Sequence, residues 1–220
     1  MQTQEVDVSD DYVQLKGLLT VTPESRAIVV FAHGSGSSRL SPRNQDVAQV
    51  LEQAGFATLL FDLLTAQEHA LDVVSAEYRF NIALLARRLE GALDWLRTRA
   101  DTRSLRIGLF GASTGASAAL VAAAARQGEV KAIVSRGGRP DLAREALAHV
   151  AAPTLLIVGE LDDEVIRLNR LAAAQMHCEH RIAIVPGATH LFEEPGTLEE
   201  AAHLARDWFV SKLGEPQPQL

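Results

Sequence analysis

Cysteine pairs, long apolar runs and an excess of positive charge are all missing from this 220-residue chain. Cys178 is the only cysteine, which excludes an intrachain disulfide and fits a reducing compartment. The longest apolar runs, such as AIVVFA and ALVAAAA, fall far short of the roughly 18 residues that a membrane span needs. The first residues, MQTQEVDVSDDY, have neither the basic nor the apolar segment of a signal peptide. We therefore expect a cytoplasmic protein with no membrane partner.

The charge balance is acidic, with 21 basic against 28 acidic side chains and a formal net charge of -7. Because this charge repels a phosphate backbone, we expect no nucleic-acid partner. Apolar residues make up 47% of the chain and charged residues 22%, a composition that can bury a large core. We predict a single domain over residues 1–213, followed by a frayed, proline-rich tail over residues 214–220.

Apolar, β-rich runs alternate with segments of helical period from Ala27 onward. The runs are continuously apolar, which is typical of parallel strands covered by helices on both faces. We therefore predict a doubly wound α/β fold. The predicted strands are 27–34, 57–63, 105–113, 131–138, 153–160 and 181–188, preceded by two N-terminal edge strands. The predicted helices cover about 44–54, 79–99, 115–127, 140–149, 164–177 and 197–212.

The sequence Gly111-Ala112-Ser113-Thr114-Gly115 stands between a predicted strand and a predicted helix. A serine on so sharp a turn takes a strained backbone, and the flanking positions must be small to avoid collisions. Gly111 and Gly115 meet that requirement, and the N-terminus of the helix would direct N–H donors at the serine. We predict that Ser113 is a nucleophile and not part of a merely structural turn.

A nucleophilic serine needs a base, and the base needs an acid that orients it. In this kind of turn, the acid and the histidine follow the serine in chain order. His190 comes after the last predicted strand, whereas most of the other histidines fall on predicted helices or their ends. We predict that His190 is the base. For the acid we prefer Asp162, with Asp163 as the second choice and Glu160 as the third.

An acyl-transfer site also needs N–H donors aimed at the developing oxyanion. The residue after the nucleophile, Thr114, supplies one backbone N–H by geometry. The second donor is expected from the small-residue loop HGSGS, which follows the first long strand. We predict that Ser35 is this donor, with Gly36 as the alternative.

The segments HGSGS, GASTG, GELDDEV and PGATH, in that order, resemble the α/β-hydrolase superfamily over nearly the whole chain. The short length and the segments HGSGSSRLSPRN and SRGGRPDLA are similar to the dienelactone hydrolase-like branch. True dienelactone hydrolases have a cysteine where this chain has Ser113. The resemblance implies a sheet of about seven or eight strands and a triad of Ser113, Asp162 and His190.

Lids in this superfamily are usually inserted after the strand that ends here near Gly138. Only about 14 residues separate Gly138 from Pro153, which is enough for one short helix. We therefore expect no large cap domain and an open site, with residues 63–78 as a modest rim.

Arginines follow several predicted strands, at the edge of the sheet where open α/β proteins bind ligands. We predict that Arg39, Arg43 and Arg136 bind substrate, because guanidinium groups suit a carboxylate or a phosphate. The alternative is that they form structural ion pairs with Asp46, Asp62, Asp141 or Glu193.

Taken with the triad, these features predict a cofactor-free serine hydrolase that cleaves a small ester, lactone or thioester, with an anionic acyl group if the arginines line the site. An acyltransferase or a perhydrolase would use the same triad. A binding protein that kept the fold without activity is a third alternative. The segment MHCEH at 176–180 has no second ligand cluster, so we predict no metal. A monomer and a homodimer both agree with the sequence.

Overall fold

Helices cover both faces of one eight-stranded sheet in the computed structural model, which describes residues 2–9 and 13–214. The strands are β1 (Thr3–Ser9), β2 (Gln14–Thr20), β3 (Ala27–Ala32), β4 (Ala57–Phe61), β5 (Arg106–Ala112), β6 (Val130–Arg136), β7 (Thr154–Gly159) and β8 (His180–Val185). The helices are α1 (Pro42–Gln53), α2 (Ala66–Ser75), α3 (Ile82–Thr98), α4 (Thr114–Ala125), α5 (Asp163–Ala173) and α6 (Thr197–Leu213). The predicted tail beyond residue 214 lies outside the described residues.

The strands are ordered β1-β2-β4-β3-β5-β6-β7-β8. Within the described sheet, β2 runs in the direction opposite to that of all the other strands. Strand β4 lies on one side of β3 and strand β5 lies on the other, so the direction in which successive strands are added to the sheet reverses at β3. In open parallel sheets, ligands bind outside the carboxyl ends of the strands at such a reversal. The predicted doubly wound, mostly parallel fold is therefore confirmed, and it positions a site at the ends of β3 and β5.

The central strand shows why continuous apolar runs were the correct signal. Every residue of β3 is buried. Ile28 and Val30 pack into the core that α3 and α4 cover, whereas Val29 and Phe31 pack into the core beneath α1 and α6. Both faces of the strand are thus apolar because both are covered. Among the described residues, no helix is both long and apolar enough to cross a membrane.

Two segments differ from their predicted structure. Residues 63–78, predicted only as a rim, contain α2, which begins with a reciprocal capping box between Thr65 and Glu68. Residues Pro140–His149, predicted as an ordinary helix, form 3₁₀ turns that are interrupted at Arg144, where φ is 48°. Neither segment forms a separate domain above the sheet, so the prediction that there is no large cap domain is confirmed.

Candidate active site

Ser113 occupies a strained turn between β5 and α4, with φ of 51° and ψ of -122°. The two flanking glycines allow this turn because the surrounding backbone leaves no room for a side chain. A Cβ on Gly111 would lie 2.4 Å from Ala116 Cα, and one on Gly115 would lie 2.1 Å from the carbonyl oxygen of Ala32. The strand, the turn and the helix are therefore pressed together, and Ser113 is held at the carboxyl end of the sheet.

Hydrogen bonds from the β6 side fix the same turn. The Ser113 N–H donates to the Arg136 carbonyl at 3.2 Å, and the Ser113 carbonyl accepts from the Arg139 N–H at 3.2 Å. The hydroxyl of Ser117 in α4 donates to the Arg139 carbonyl. Because its own N–H is used in this way, Ser113 cannot offer that donor to a ligand.

His190 forms a hydrogen bond with Asp162, whose Oδ2 lies 2.6 Å from Nδ1 of the imidazole. A carboxylate can only accept, so Nδ1 carries the proton and Nε2 of the neutral ring has a free lone pair. Gly137, at φ of 52°, lies close to the ring, and a Cβ there would be 3.6 Å from His190 Cε1. This arrangement can hold a base in one tautomer and one orientation.

The two other candidate acids lie elsewhere. Asp163 is exposed in the first turn of α5. Glu160 accepts a hydrogen bond from the Gly187 N–H at 2.8 Å and thereby holds the loop after β8. Of the three carboxylates, the structure brings only Asp162 to the imidazole.

A cavity of about 280 Å³ contains both Ser113 and His190 in its lining. Ser35 also lines this cavity, whereas Gly36 does not. Among the described residues, the backbone N–H groups of Ser35 and Thr114 have no protein acceptor. Thr114 is not in the lining of this cavity, but it directly follows the nucleophile, so both N–H groups are left for a developing oxyanion.

His33, next to the Ser35 loop, is occupied by structural hydrogen bonds. Its Nδ1 donates to the Gly34 carbonyl at 2.9 Å, and its Nε2 accepts from the Leu63 N–H at 3.0 Å. Burial lowers the pKa of His33, which favours the neutral ring that this pattern requires. The side chain links the ends of β3 and β4 and has no free nitrogen to act as a base.

Two of the three predicted substrate-binding arginines pair with acids. Arg39 contacts Asp62 through its guanidinium and its backbone N–H, and it lies outside the lining of the cavity. Arg43 lines the cavity but pairs with exposed Glu193 at 3.1 Å. The structure therefore does not bring Arg39 into the cavity that contains the nucleophile, and the charge of Arg43 is balanced by exposed Glu193.

Arg136 differs from both, because no carboxylate among the described residues pairs with it. Only 7% of the residue is exposed, yet it lines the cavity. One terminal nitrogen donates to Asn44 Oδ1 at 3.1 Å, and the guanidinium carbon lies 5.6 Å from the centre of the Phe110 ring. Burial, followed by the charge of Arg43, lowers the pKa of Arg136 to about 10. The group still carries its charge at neutral pH.

Asn44 was missed by the sequence reasoning. It lies on the buried face of α1 together with Val47, Ala48 and Leu51. These positions follow the spacing of an apolar stripe, and an asparagine on such a stripe signals a buried polar contact. That signal could have found the residue but could not have named Arg136 as its partner.

The sequence profile of the dienelactone hydrolase family matches residues 15–213. The chain belongs to the dienelactone hydrolase family. A crystal structure of dienelactone hydrolase from Anabaena variabilis is 57% identical to it, with a TM-score of 0.95 over 96% of this chain and 98% of that one. Est1E from Butyrivibrio proteoclasticus is 16% identical, with a TM-score of 0.79 over 96% and 99% of the two chains, and shares the fold. The predicted α/β-hydrolase fold and family are both confirmed.

A family relative from Mycobacterium tuberculosis is much longer than this chain. It is 56% identical over 218 residues, which are 99% of this chain and 48% of the relative. The chain thus spans about half the length of the curated relatives that it matches. The relative is provisionally named a phosphoribosyl transferase.

Proposed function

We propose that this protein is a serine hydrolase that cleaves a small ester, lactone or thioester. The observation that carries the proposal is one cavity lined by a serine on a strained turn and by a histidine whose Nδ1 is held by Asp162. Membership of the dienelactone hydrolase family supports the same class of reaction. The chemistry requires no cofactor or metal.

In the proposed mechanism, Ser113 Oγ attacks the acyl carbonyl carbon while His190 Nε2 takes the hydroxyl proton. Asp162 stabilises the resulting imidazolium, and the N–H groups of Ser35 and Thr114 stabilise the oxyanion. The imidazolium then protonates the leaving group, and the acyl group remains on Ser113. Water, deprotonated by His190, then attacks the acyl-enzyme. The bond between the acyl carbon and Ser113 Oγ breaks, Ser113 takes the proton from the imidazolium, and the acid is released.

We further propose that the acyl group of the substrate carries a carboxylate, because a buried charge is costly unless an opposite charge or hydrogen bonds compensate it. Arg136 has hydrogen bonds to neutral oxygens but no carboxylate partner among the described residues. Glu193 already balances Arg43. The cavity therefore carries one uncompensated guanidinium, which suits a monoanion better than a dianion.

Acyl transfer to an alcohol or a peroxide is a second candidate reaction, because no cap domain among the described residues covers the carboxyl end of the sheet and shields an acyl-enzyme from other acceptors. A binding protein without turnover is a third. Product partition with and without added alcohol or peroxide separates hydrolysis from acyl transfer.

Covalent labelling tests the proposed function. A fluorophosphonate should label the wild-type protein on Ser113, and Ser113→Ala should lose both the label and the hydrolysis of a small aryl ester. Exposed Ser104 provides the matched control, and Ser104→Ala should keep both. More than a tenth of the wild-type hydrolysis in folded Ser113→Ala would overturn the proposal.

A further inference from the structure

A hydrogen bond between two side-chain hydroxyls joins the loops that supply the two oxyanion donors. Ser35 follows β3 and Thr114 begins α4, and their oxygens lie 2.9 Å apart. Thr114 is only 3% exposed, so its hydroxyl needs a protein partner, and Ser35 provides it. The proposed catalytic mechanism uses the backbone of both residues and neither side chain.

The direction of this hydrogen bond follows from a third group. Ser35 Oγ lies 3.4 Å from the carbonyl oxygen of Arg79, which can only accept. Each hydroxyl has one proton, so Ser35 donates to Arg79 and Thr114 donates to Ser35. The chain of donors runs from the start of α4, through the loop after β3, to the segment between α2 and α3.

That segment is itself anchored by a buried carboxylate. Asp72 in α2 is 1% exposed, and its Oδ1 accepts from the N–H groups of Tyr78 and Arg79 at 2.8 Å each. Its Oδ2 accepts from Arg79 Nε at 2.9 Å. Burial alone would favour the neutral acid, but these hydrogen bonds outweigh it and lower the pKa of Asp72. The Arg79 carbonyl is therefore a fixed support.

We propose that the hydroxyls of Ser35 and Thr114 form a clasp that sets the spacing of the two oxyanion N–H groups, which makes both side chains positioning groups. This inference rests on the proposed serine hydrolase function. Stabilisation of an oxyanion requires donors about 2.7–3.1 Å from the place where the charge develops, so a shift of a few tenths of an ångström matters. The loops have little slack, because a Cβ on Gly34 would lie 3.1 Å from Ser113 Cβ.

Substitutions that keep each backbone N–H but change the hydroxyl test the clasp. Thr114→Val and Ser35→Ala should each lower kcat about tenfold, less than the loss of a direct oxyanion donor, with KM nearly unchanged. Thr114→Ser, which restores the hydroxyl, should recover most of kcat. The affinity for a boronic acid, which mimics the tetrahedral intermediate, should fall in parallel with kcat.

A matched control separates this effect from a general loss of stability. Thr102 is 1% exposed and donates to the Leu96 carbonyl at 2.7 Å, and it precedes β5, whereas Ser113 follows the other end of that strand. Thr102→Val should lower the melting temperature and leave kcat unchanged. The double variant Ser35→Ala/Thr114→Val should be no slower than the slower single variant, because both substitutions break the same hydrogen bond between Ser35 and Thr114.

Two outcomes would overturn the clasp. One is a kcat within twofold of wild type in both single variants; the other is a double variant in which the two losses multiply. Labelling and turnover of the wild type, measured in the same experiment, separate a failure of the clasp from a failure of the proposed function. If the wild type turns over ester and the variants match it, the clasp alone is wrong. If the wild type neither reacts with fluorophosphonate nor turns over ester, the proposed function fails as well.

Discussion

Asp162 and Asp163 are adjacent carboxylates with different surroundings, which makes them a sharp pair for mutation. Asp162→Asn should lower kcat by roughly 10³-fold or more, because an amide can donate to Nδ1 and favour the wrong imidazole tautomer. Asp163→Asn should stay close to wild type, since Asp163 is exposed. Steady-state kinetics on both variants, with melting curves to verify folding, check the prediction. The reverse ranking would assign the acid to Asp163.

The proposed preference for an anionic substrate depends on Arg136. Arg136→Met should raise KM for an ester with a carboxylate in its acyl group by roughly tenfold or more, which corresponds to the loss of a charged hydrogen bond. KM for a matched neutral ester should hardly change. Arg39→Met is the control, because Arg39 lies outside the cavity, and it should affect neither KM. Equal effects of Arg136→Met on both esters would contradict an anionic substrate.

The stability of the same variant gives an independent test. The folded pKa of Arg136, about 10, lies below the ordinary value of an arginine because the group is buried. At neutral pH the folded protein therefore bears the full free-energy cost of burying the charged guanidinium. That cost falls only as pH rises above about 10, where the folded protein loses the proton before the unfolded chain does. We expect Arg136→Met to melt at or above the wild-type temperature, and a fall of several degrees would indicate a structural role.

At the scale of elements, the turn between β5 and α4 is the most constrained junction. Gly115→Ala should abolish folding or destabilise the protein severely, because the new Cβ would meet backbone that cannot move away. Gly128 provides a control: its φ is +80°, and a Cβ there would have no heavy atom within 4 Å. Gly128→Ala should cost only about 1–2 kcal/mol. Denaturant unfolding and soluble yield measure both, and equal losses would contradict the argument.

Elements were predictable where one rule decided them. The strands and α3 follow continuous or amphipathic apolar patterns, and the structure agrees with them. Helix α2 was missed because its pattern is inverted: Asp72 is buried while Val73 and Val74 are 65% and 89% exposed. Likewise, a positive φ at Arg144 has no signature in a residue type that usually avoids it. The spacing of apolar residues along a sequence cannot reveal that a polar side chain such as Asp72 is buried by hydrogen bonds to another segment.

At the scale of the whole molecule, acid should weaken the packing of α2 through Asp72. Because its folded pKa is lowered, Asp72 contributes stability above its unfolded pKa, and this contribution is lost as pH falls through the folded pKa. Asp72→Asn should therefore cost about 1.5–3 kcal/mol at pH 7 and progressively less in acid. Urea unfolding of both proteins at several pH values measures the difference. A difference that does not depend on pH would show that the charge of Asp72 is not involved.

The candidate active site also shows that local sequence patterns do not specify contacts between distant parts of the chain. Each triad candidate follows a strand, so chain order and chemistry together predicted Ser113, Asp162 and His190, and the structure pairs Asp162 with His190 and brings Ser113 and His190 to one cavity. The partner of Arg136 is Asn44, which is 92 positions earlier in the sequence. Such a contact depends on how α1 lies against β6, and no local pattern specifies that. The sequence therefore identified the arginines but could not tell which of them lacks an acid.

From β5 to β8 the strands lie side by side in chain order, which has a consequence for synthesis on the ribosome. Domains emerge from the N-terminus, so the loop with Ser35 and the turn with Ser113 leave the exit tunnel long before His190. A nascent chain that has released α5 carries the proposed nucleophile and acid but no base. Its β7 edge also remains unpaired until β8 arrives. Translation thus delivers the proton acceptor last, and an arrested or truncated product lacks the group that would make the serine reactive.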